Sequence, residues 1–292
     1  MTMFGYPEKI DLHIHTTASD GTDTLPELLS KVRDKGIGLF SVTDHDNIKA
    51  AEQMPAELGS GDPVFVSGVE ISCRDTEGRY HILGYGYDPE RPGIREMVQK
   101  VHGLRMERLE GRLSCLEKDF GITFPAEEVE LLRKLDNPGK PHIGNLMVKY
   151  GYSPDRNTAI SEYIEKIKFK GHYISPAEAI NAVLASGGIP ILAHPFFGSG
   201  GQRITGGKME ERLKRLMEMG LQGVEAYYST FTPGLISEML TFAKKYDLYI
   251  TAGSDYHGAN KTIELGFTNL PDASEYPEGL MNFMDSIKSR CV

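Results

Sequence analysis

The chain has 292 residues, 40% apolar, 25% charged and 9% aromatic, enough to build a sizeable core as one large α/β domain or two ordinary ones. Its 41 acidic and 32 basic residues give a formal charge of −9, which argues against a broad basic surface for long nucleic acid or an anionic membrane. No apolar run approaches the roughly 20 residues of a membrane span.

The start, MTMFGYPEKI, lacks the charged and apolar regions of a signal peptide. Three widely separated cysteines, Cys73, Cys115 and Cys291, suit a reducing compartment better than a disulfide framework. A soluble cytoplasmic protein is expected. In chain order, apolar runs predict strands at 10–14, 39–43, 64–69, 80–85, 189–193, 223–226 and 249–252. The first helix is announced by Thr24-Leu25-Pro26-Glu27, a capping box with proline in the first turn, and it closes at Gly36. Ser175-Pro176-Ala177-Glu178 repeats the device, and residues 209–219 and 235–246 carry apolar positions at helical spacing. Strand and helix alternating in this way imply a mainly parallel sheet, open or closed as a barrel.

Residues 96–171 break that rhythm. They read as a long polar helix followed by shorter ones, and they hold 13 basic and 12 acidic residues, so the rest of the chain carries −10. The expected organisation is a first barrel segment at 1–94, an inserted helical subdomain at 95–172, and a second barrel segment at 173–292.

Within the first strand, alternation sends Ile10, Leu12 and Ile14 to one face and Asp11, His13 and His15 to the other. Alone, such a pair of histidines describes a polar strand face equally well. It is not alone. Asp20 follows in Ser19-Asp20-Gly21, and the next strands end in Thr43-Asp44-His45-Asp46 and Gly68-Val69-Glu70. His81 lies in the fourth strand, His194 follows the fifth in Ala193-His194-Pro195, and the last ends in Ser254-Asp255-Tyr256-His257. Six of nine histidines thus fall in or after strands, and in a parallel α/β fold the carboxy-terminal strand ends gather on one rim. Imidazole mixed with carboxylate suits Zn, Mn or Fe, and nine candidate ligands exceed what one ion uses.

These motifs, in this order, resemble the PHP (polymerase and histidinol phosphatase) metal-dependent phosphoesterases. The resemblance implies a distorted (β/α)7 barrel with two or three divalent ions (Mn, Fe or Zn) at its mouth. It implies that His13, His15, Glu70 and Asp255 hold one ion, that Glu70 bridges to a second held by His81 and His194, and that Asp20, His45 and His257 hold a third. The helical insertion, with Pro141-His142 and Lys170-Gly171-His172-Tyr173, resembles the subgroup acting on 3′,5′-bisphosphonucleotides or on 5′ ends of short oligonucleotides.

Adjacent divalent ions bring the pKa of a shared water toward neutrality, so in-line attack of hydroxide on phosphorus is the expected chemistry, with no covalent protein nucleophile. Asp255 and His194 are candidates for proton handling. Asp44 and Asp46 are candidates to orient ligand imidazoles, or simple turn carboxylates; Glu225 is a hydrogen-bond acceptor behind the ligands or a structural ion-pair member. Lys140, His142, Lys170 and His172 are candidates to grip a second phosphate, with a solvated basic helix end as the alternative, and Arg203, in a glycine-rich loop, is a further candidate phosphate contact, with a mobile surface loop as the alternative. Tyr227 and Tyr228 either stack on a base or pack in the core.

The leading expectation is hydrolysis of the 3′-phosphate of a 3′,5′-bisphosphonucleotide. A 5′-3′ exonuclease on short RNA or DNA, a histidinol phosphatase and a non-catalytic metal-stabilised module are the alternatives. The expected partner is a small phosphorylated substrate, nucleotide or short oligonucleotide, with no membrane and no stable long nucleic acid.

Overall fold

The computed structural model describes residues 5–169, 171–198 and 202–292. The chain divides into two compact units, Met1–Val98 with Ile174–Val292, and Gln99–Tyr173.

The first unit is mixed α/β. Strands β1 (Ile10–Asp11), β2 (Leu39–Phe40) and β3 (Val64–Phe65) form a parallel three-stranded sheet. Strands β4 (Gly68–Asp75), β5 (Gly78–Tyr85), β6 (Ile189–Leu192), β7 (Gly223–Tyr228) and β8 (Tyr249–Gly253) form a second sheet in that order. Here β6, β7 and β8 run parallel, whereas β4 pairs antiparallel with β5, and β5 with β6. Four of these six pairings are parallel, in line with the mainly parallel sheet expected, and β5 alone runs against its neighbours. The physical reason is a tight turn: Glu77 N and Gly78 N donate to Asp75 Oδ1, and Gly78 takes φ 147°, which reverses the chain into a hairpin.

Isolated bonds span both gaps between the sheets. Leu12 N donates to Ala252 O (2.9 Å) and His15 N to Tyr256 O (2.9 Å) on one side. On the other, Asp46 N donates to Glu70 O (2.9 Å) and Glu70 N to Asp44 O (3.3 Å). Among the described residues these bridges do not extend into ladders that would make one continuous closed sheet.

Helix α1 (Leu25–Asp34) starts where Thr24 N donates to Glu27 Oε2, and it buries Leu28, Leu29 and Val32. Together with α2 (Lys49–Glu57) it covers a core of Ile14, Val32, Phe40, Val42, Met54 and Phe65. Helix α3 (Pro92–Phe120) begins in the first unit and continues into the second. The second unit adds α4 (Ala126–Arg133), α5 (Lys140–Lys149) and α6 (Arg156–Ala159), which runs on into a π-turn at Ile160–Ile164. Its own core includes Leu109, Leu116, Ile143, Met147 and Ile164. The first unit resumes with α7 (Pro176–Ala185), where the Ser175–Glu178 capping box is formed, then α8 (Gly206–Glu218), α9 (Pro233–Lys245) and α10 (Glu278–Ile287). Among the described residues, no helix is long and apolar enough to cross a membrane.

Candidate metal centre

The site lies within the first unit, where the extensions of β1 and β2 meet β4, β5 and the ends of β6 and β8. His13 and His15 follow β1 and are fully buried. Asp11 does not join them, although simple alternation groups the three. Its carboxylate instead accepts Ser254 N, Ser254 OH and Gly266 N at 2.6–2.9 Å, clamping β1 to the turn after β8. Burial pushes the Asp11 carboxyl up to about 6, against the pull of those hydrogen bonds.

Glu70, on β4 and 1% exposed, is the hub. Its Oε2 lies 3.3 Å from His13 Nε2, 3.2 Å from His15 Nε2 and 3.0 Å from His45 Nδ1. The other oxygen, Oε1, lies 2.7 Å from His81 Nδ1 and 3.1 Å from His194 Nε2. Asp255 Oδ1 faces His15 Nε2 (3.3 Å), His257 Nδ1 (3.4 Å) and His13 Nε2 (3.6 Å). Asp20 Oδ1 lies 3.2 Å from His257 Nε2 and 3.8 Å from His15 Nδ1. Ligand-type atoms fall into three sets, each within 4.8 Å: His15, Asp20, His45 and His257; His13, His15 and Glu70; and His45, Glu70 and His81. All nine expected ligand side chains are therefore brought together.

The residues fit divalent cations on a direct observation. Among the described residues, His13 Nε2, His15 Nε2, Asp20 Oδ1 and Glu70 Oε2 are buried and have no hydrogen-bond partner, although all converge on one another. Orphaned polar atoms in a closed site carry a desolvation cost of roughly 1–3 kcal/mol each, which a cation would offset. Electrostatics agree. Burial favours neutral acids at Glu70, Asp20 and Asp255, yet the surrounding imidazoles outweigh it and hold all three carboxyls well below the usual range. Burial likewise opposes charge on His15, but Asp255 and Glu70 raise its pKa to about 9, while Glu225, Glu70 and Asp255 raise His13 well above the ordinary value. Protons on these rings balance the carboxylates until a cation displaces them.

The supporting contacts fix which ring nitrogen faces inward. His13 Nδ1 donates to Glu225 Oε1 (2.8 Å), and Glu225 Oε2 accepts His194 N (2.7 Å). One buried carboxylate thus sets two candidate ligands. His257 Nδ1 donates to the Asp255 carbonyl (2.8 Å). Asp44 acts indirectly: it accepts Thr16 N, Thr16 OH and Ser19 OH, and Ser19 Oγ lies 3.4 Å from His15 Nδ1. Asp46, at φ 50°, accepts Ser72 N. His194 (φ 27°) and Asp255 (φ 58°) also take left-handed backbone, a strain held in place where the strands end. Gly253 leaves no room for a side chain, since a Cβ there would meet His13 Cβ at 2.2 Å and Glu225 Oε1 at 2.5 Å.

A cavity of about 240 Å³ opens on the cluster, lined by His45, Glu70, His81, His194, Phe197, Tyr228, Asp255 and Lys261. Tyr228 is buried, packs against His194 and Phe231, and donates its hydroxyl to Asp255 Oδ2 (2.6 Å). Tyr227 is likewise buried and does not line the cavity, so it follows the packing alternative, whereas Tyr228 packs at the cavity rim. Lys261 escaped the sequence reading because it belongs to no motif; its spacing of six from Asp255 is the only sequence cue.

Of the residues considered for phosphate binding, Lys140, His142 and His172 belong to the second unit and Arg203 to the first. Lys140 pairs with Glu165 (2.6 Å) and His172 with Glu107 (2.8 Å), and His142 Nδ1 accepts Gly139 N at the start of α5. Arg203 is exposed and bridges Phe197 through its backbone. Lys170 lies outside the described residues, as does part of the glycine-rich loop at 199–201.

Comparison with known proteins agrees with this geometry. The PHP domain profile matches residues 11–134. A 3′,5′-nucleoside bisphosphate phosphatase of Chromobacterium violaceum is 29% identical, over 85% of this chain and 87% of that protein. A 5′-3′ exoribonuclease of Haemophilus influenzae is 28% identical, over 89% and 93%. A phosphoribosyl 1,2-cyclic phosphate 1,2-diphosphodiesterase of Eggerthella lenta is 28% identical, over 85% and 94%. A solved structure from Bifidobacterium adolescentis, described as a metal-dependent phosphoesterase, superposes with TM-score 0.78 at 29% identity, over 96% of this chain and 98% of that one. The protein is thus a hydrolase acting on phosphoester bonds, which sets aside the non-catalytic alternative. Residues 11–134 thus match the PHP domain, and the chain as a whole is similar to PHP-like metal-dependent phosphoesterases.

Proposed function

We propose that the protein removes the 3′-phosphate of a small 3′,5′-bisphosphonucleotide, using two or three divalent ions (Mn, Fe or Zn). The observation that carries this reading is Glu70, whose two oxygens each face a separate group of histidines, so that this side chain would be able to serve two ions at once. Within the proposal His13, His15, Glu70 and Asp255 would hold one ion, Glu70, His81 and His194 a second, and Asp20, His45 and His257 a third. The bonds linking the two sheets are read as the seams of a distorted (β/α)7 barrel, interrupted by an insertion at 95–172. A relative named above at 29% identity, a 3′,5′-nucleoside bisphosphate phosphatase, supports the substrate.

Divalent ions, when bound, supply charge neutralisation at phosphate and a lowered pKa for water. The chain's own residues do the rest. Glu225 and the Ser19–Asp44 pair hold the His13 and His15 rings so that each presents Nε2. Phe197 and Tyr228 wall the cavity against solvent. Asp255 or His194 delivers a proton to the leaving oxygen. Lys140, His142, Lys170, His172 and Arg203 are assigned to the second phosphate.

A second reading, 5′-3′ exonuclease on short RNA, draws on the Haemophilus relative, whose identity is nearly the same. Phosphate release by Mn-loaded protein from a 3′,5′-bisphosphonucleotide, the matching monophosphates, histidinol phosphate and a short 5′-phosphorylated RNA separates these. Preference for the bisphosphonucleotide is expected. Release of mononucleotides from RNA as the fastest reaction would transfer the assignment to the exonuclease.

A further inference from the structure

Lys261 is the one lysine or arginine among the described residues lining the cavity over the cluster. Its loop is built into place. Asn260 Nδ2 donates to Asp20 O (2.8 Å), Ala259 N donates to Thr22 Oγ1 (2.9 Å), and the turn Gly258–Asn260 packs so closely that a Cβ at Gly258 would meet Thr22 Oγ1 at 2.0 Å. Lys261 Nζ rests on Asp255 Oδ2 at 2.5 Å, the oxygen turned away from the histidines, where Tyr228 also donates. The lysine side chain is 38% exposed.

A structural ion pair explains this poorly. Tyr228 already satisfies Asp255 Oδ2, and a partly exposed pair adds little stability. An ammonium carries three donors, so a single contact with Asp255 leaves two for a ligand. A phosphoester entering the cavity passes Lys261 at its wall, where an ammonium attracts the non-bridging phosphate oxygens.

We propose that Lys261 binds a non-bridging oxygen of the reacting phosphate, moving off Asp255 Oδ2 as the ester enters. Tyr228 then keeps Asp255 oriented by its remaining hydrogen bond. This assignment rests on the phosphoesterase reading above and deepens it by naming the group that recognises the phosphate. It makes Lys261 a determinant for every phosphoester the enzyme accepts, because it acts on the reacting group and not on a distal one.

The test uses full-length wild type, Lys261→Met and Lys261→Arg, each loaded with Mn. Metal content is measured by elemental analysis, inorganic phosphate affinity by calorimetry, and kcat and KM with mono- and bisphosphonucleotides. Unchanged metal content, phosphate binding weakened at least tenfold in Lys261→Met, and recovery of most of that affinity in Lys261→Arg are expected. The loss in kcat/KM is expected to be similar for mono- and bisphosphates. Phosphate affinity within twofold of wild type in Lys261→Met overturns the proposal. Loss of metal in that variant also overturns it, since the lysine would then act only through Asp255. Wild type that binds phosphate in a Lys261-dependent manner but hydrolyses none of the nucleotides supports the lysine's role and overturns the substrate reading instead.

Discussion

Glu225 shows how one buried side chain can govern two others. It contacts no cavity surface, yet it accepts the His13 ring and the backbone N–H of His194, which sits in a left-handed conformation. Replacing Glu225 by Gln keeps the shape but loses the charge that favours the Nδ1–H tautomer of His13. Metal affinity and turnover are expected to fall together, by roughly 10–100-fold, while the melting temperature of the metal-free protein changes little. Elemental analysis after dialysis against graded chelator measures the first; retention of wild-type metal affinity would remove Glu225 from the centre. Much of this scale was legible in the sequence, because His13, His15, His45, Glu70, His194 and Asp255 each stand in or just after an apolar run. Lys261 was not, because a loop lysine has no period and its contact depends on how Asn260 and Ala259 anchor to the Asp20–Thr22 loop. Nor was Asp11, whose departure from the His13 face follows from the Ser254 and Gly266 donors brought in from more than 240 residues away.

Elements follow their local signals where those signals are self-contained. The capping boxes at Thr24 and Ser175 mark the starts of α1 and α7 because each needs only four residues to satisfy a helix end. The far end of α1 is held by a clamp in which Arg33 donates twice to Asp62, both at 2.7 Å, and Asp62 also accepts Gly59 N. The Arg33 guanidinium, with Gly59 N, lowers the Asp62 carboxyl from 3.8 to about 2. A depressed acid stabilises the folded state above its unfolded value, and that contribution is lost as pH falls through about 2. The melting-temperature gap between wild type and Asp62→Asn is therefore expected to be widest above pH 4 and to close toward pH 2. The pair is exposed, so the gap is small and shrinks in salt; a gap that widens on acidification would contradict the clamp. Strand pairing was less legible. The two-residue ladders of β1, β2 and β3 and the antiparallel β4–β5 hairpin depend on partners remote in sequence, although the Asp75–Gly78 turn was itself a readable signal. The π-turn at Ile160–Ile164 has no such signal.

For the molecule as a whole, the formal charge of −9 includes the carboxylates of the centre, so each divalent ion taken up offsets two of those charges where the substrate must enter. An acidic protein can in this way bind a polyanionic nucleotide without a basic surface. The helical unit at Gln99–Tyr173 has its own core, and its basic residues Lys140 and His172 are engaged with Glu165 and Glu107. On the proposal made for Lys261, the reacting phosphate is recognised by the cluster and its cavity wall. The most direct measurement is phosphate release from a 3′,5′-bisphosphonucleotide by chelator-stripped protein titrated with Mn, for wild type and Glu70→Gln side by side. Wild type is expected to start near zero and reach full activity after two or three equivalents. Glu70→Gln is expected to stay lower by about a thousandfold or more at any Mn concentration, since Lewis-acid stabilisation of several kcal/mol corresponds to a factor of that order. Full activity in the stripped wild type, or its recovery in Glu70→Gln at the same Mn, would contradict a catalytic metal centre built around Glu70.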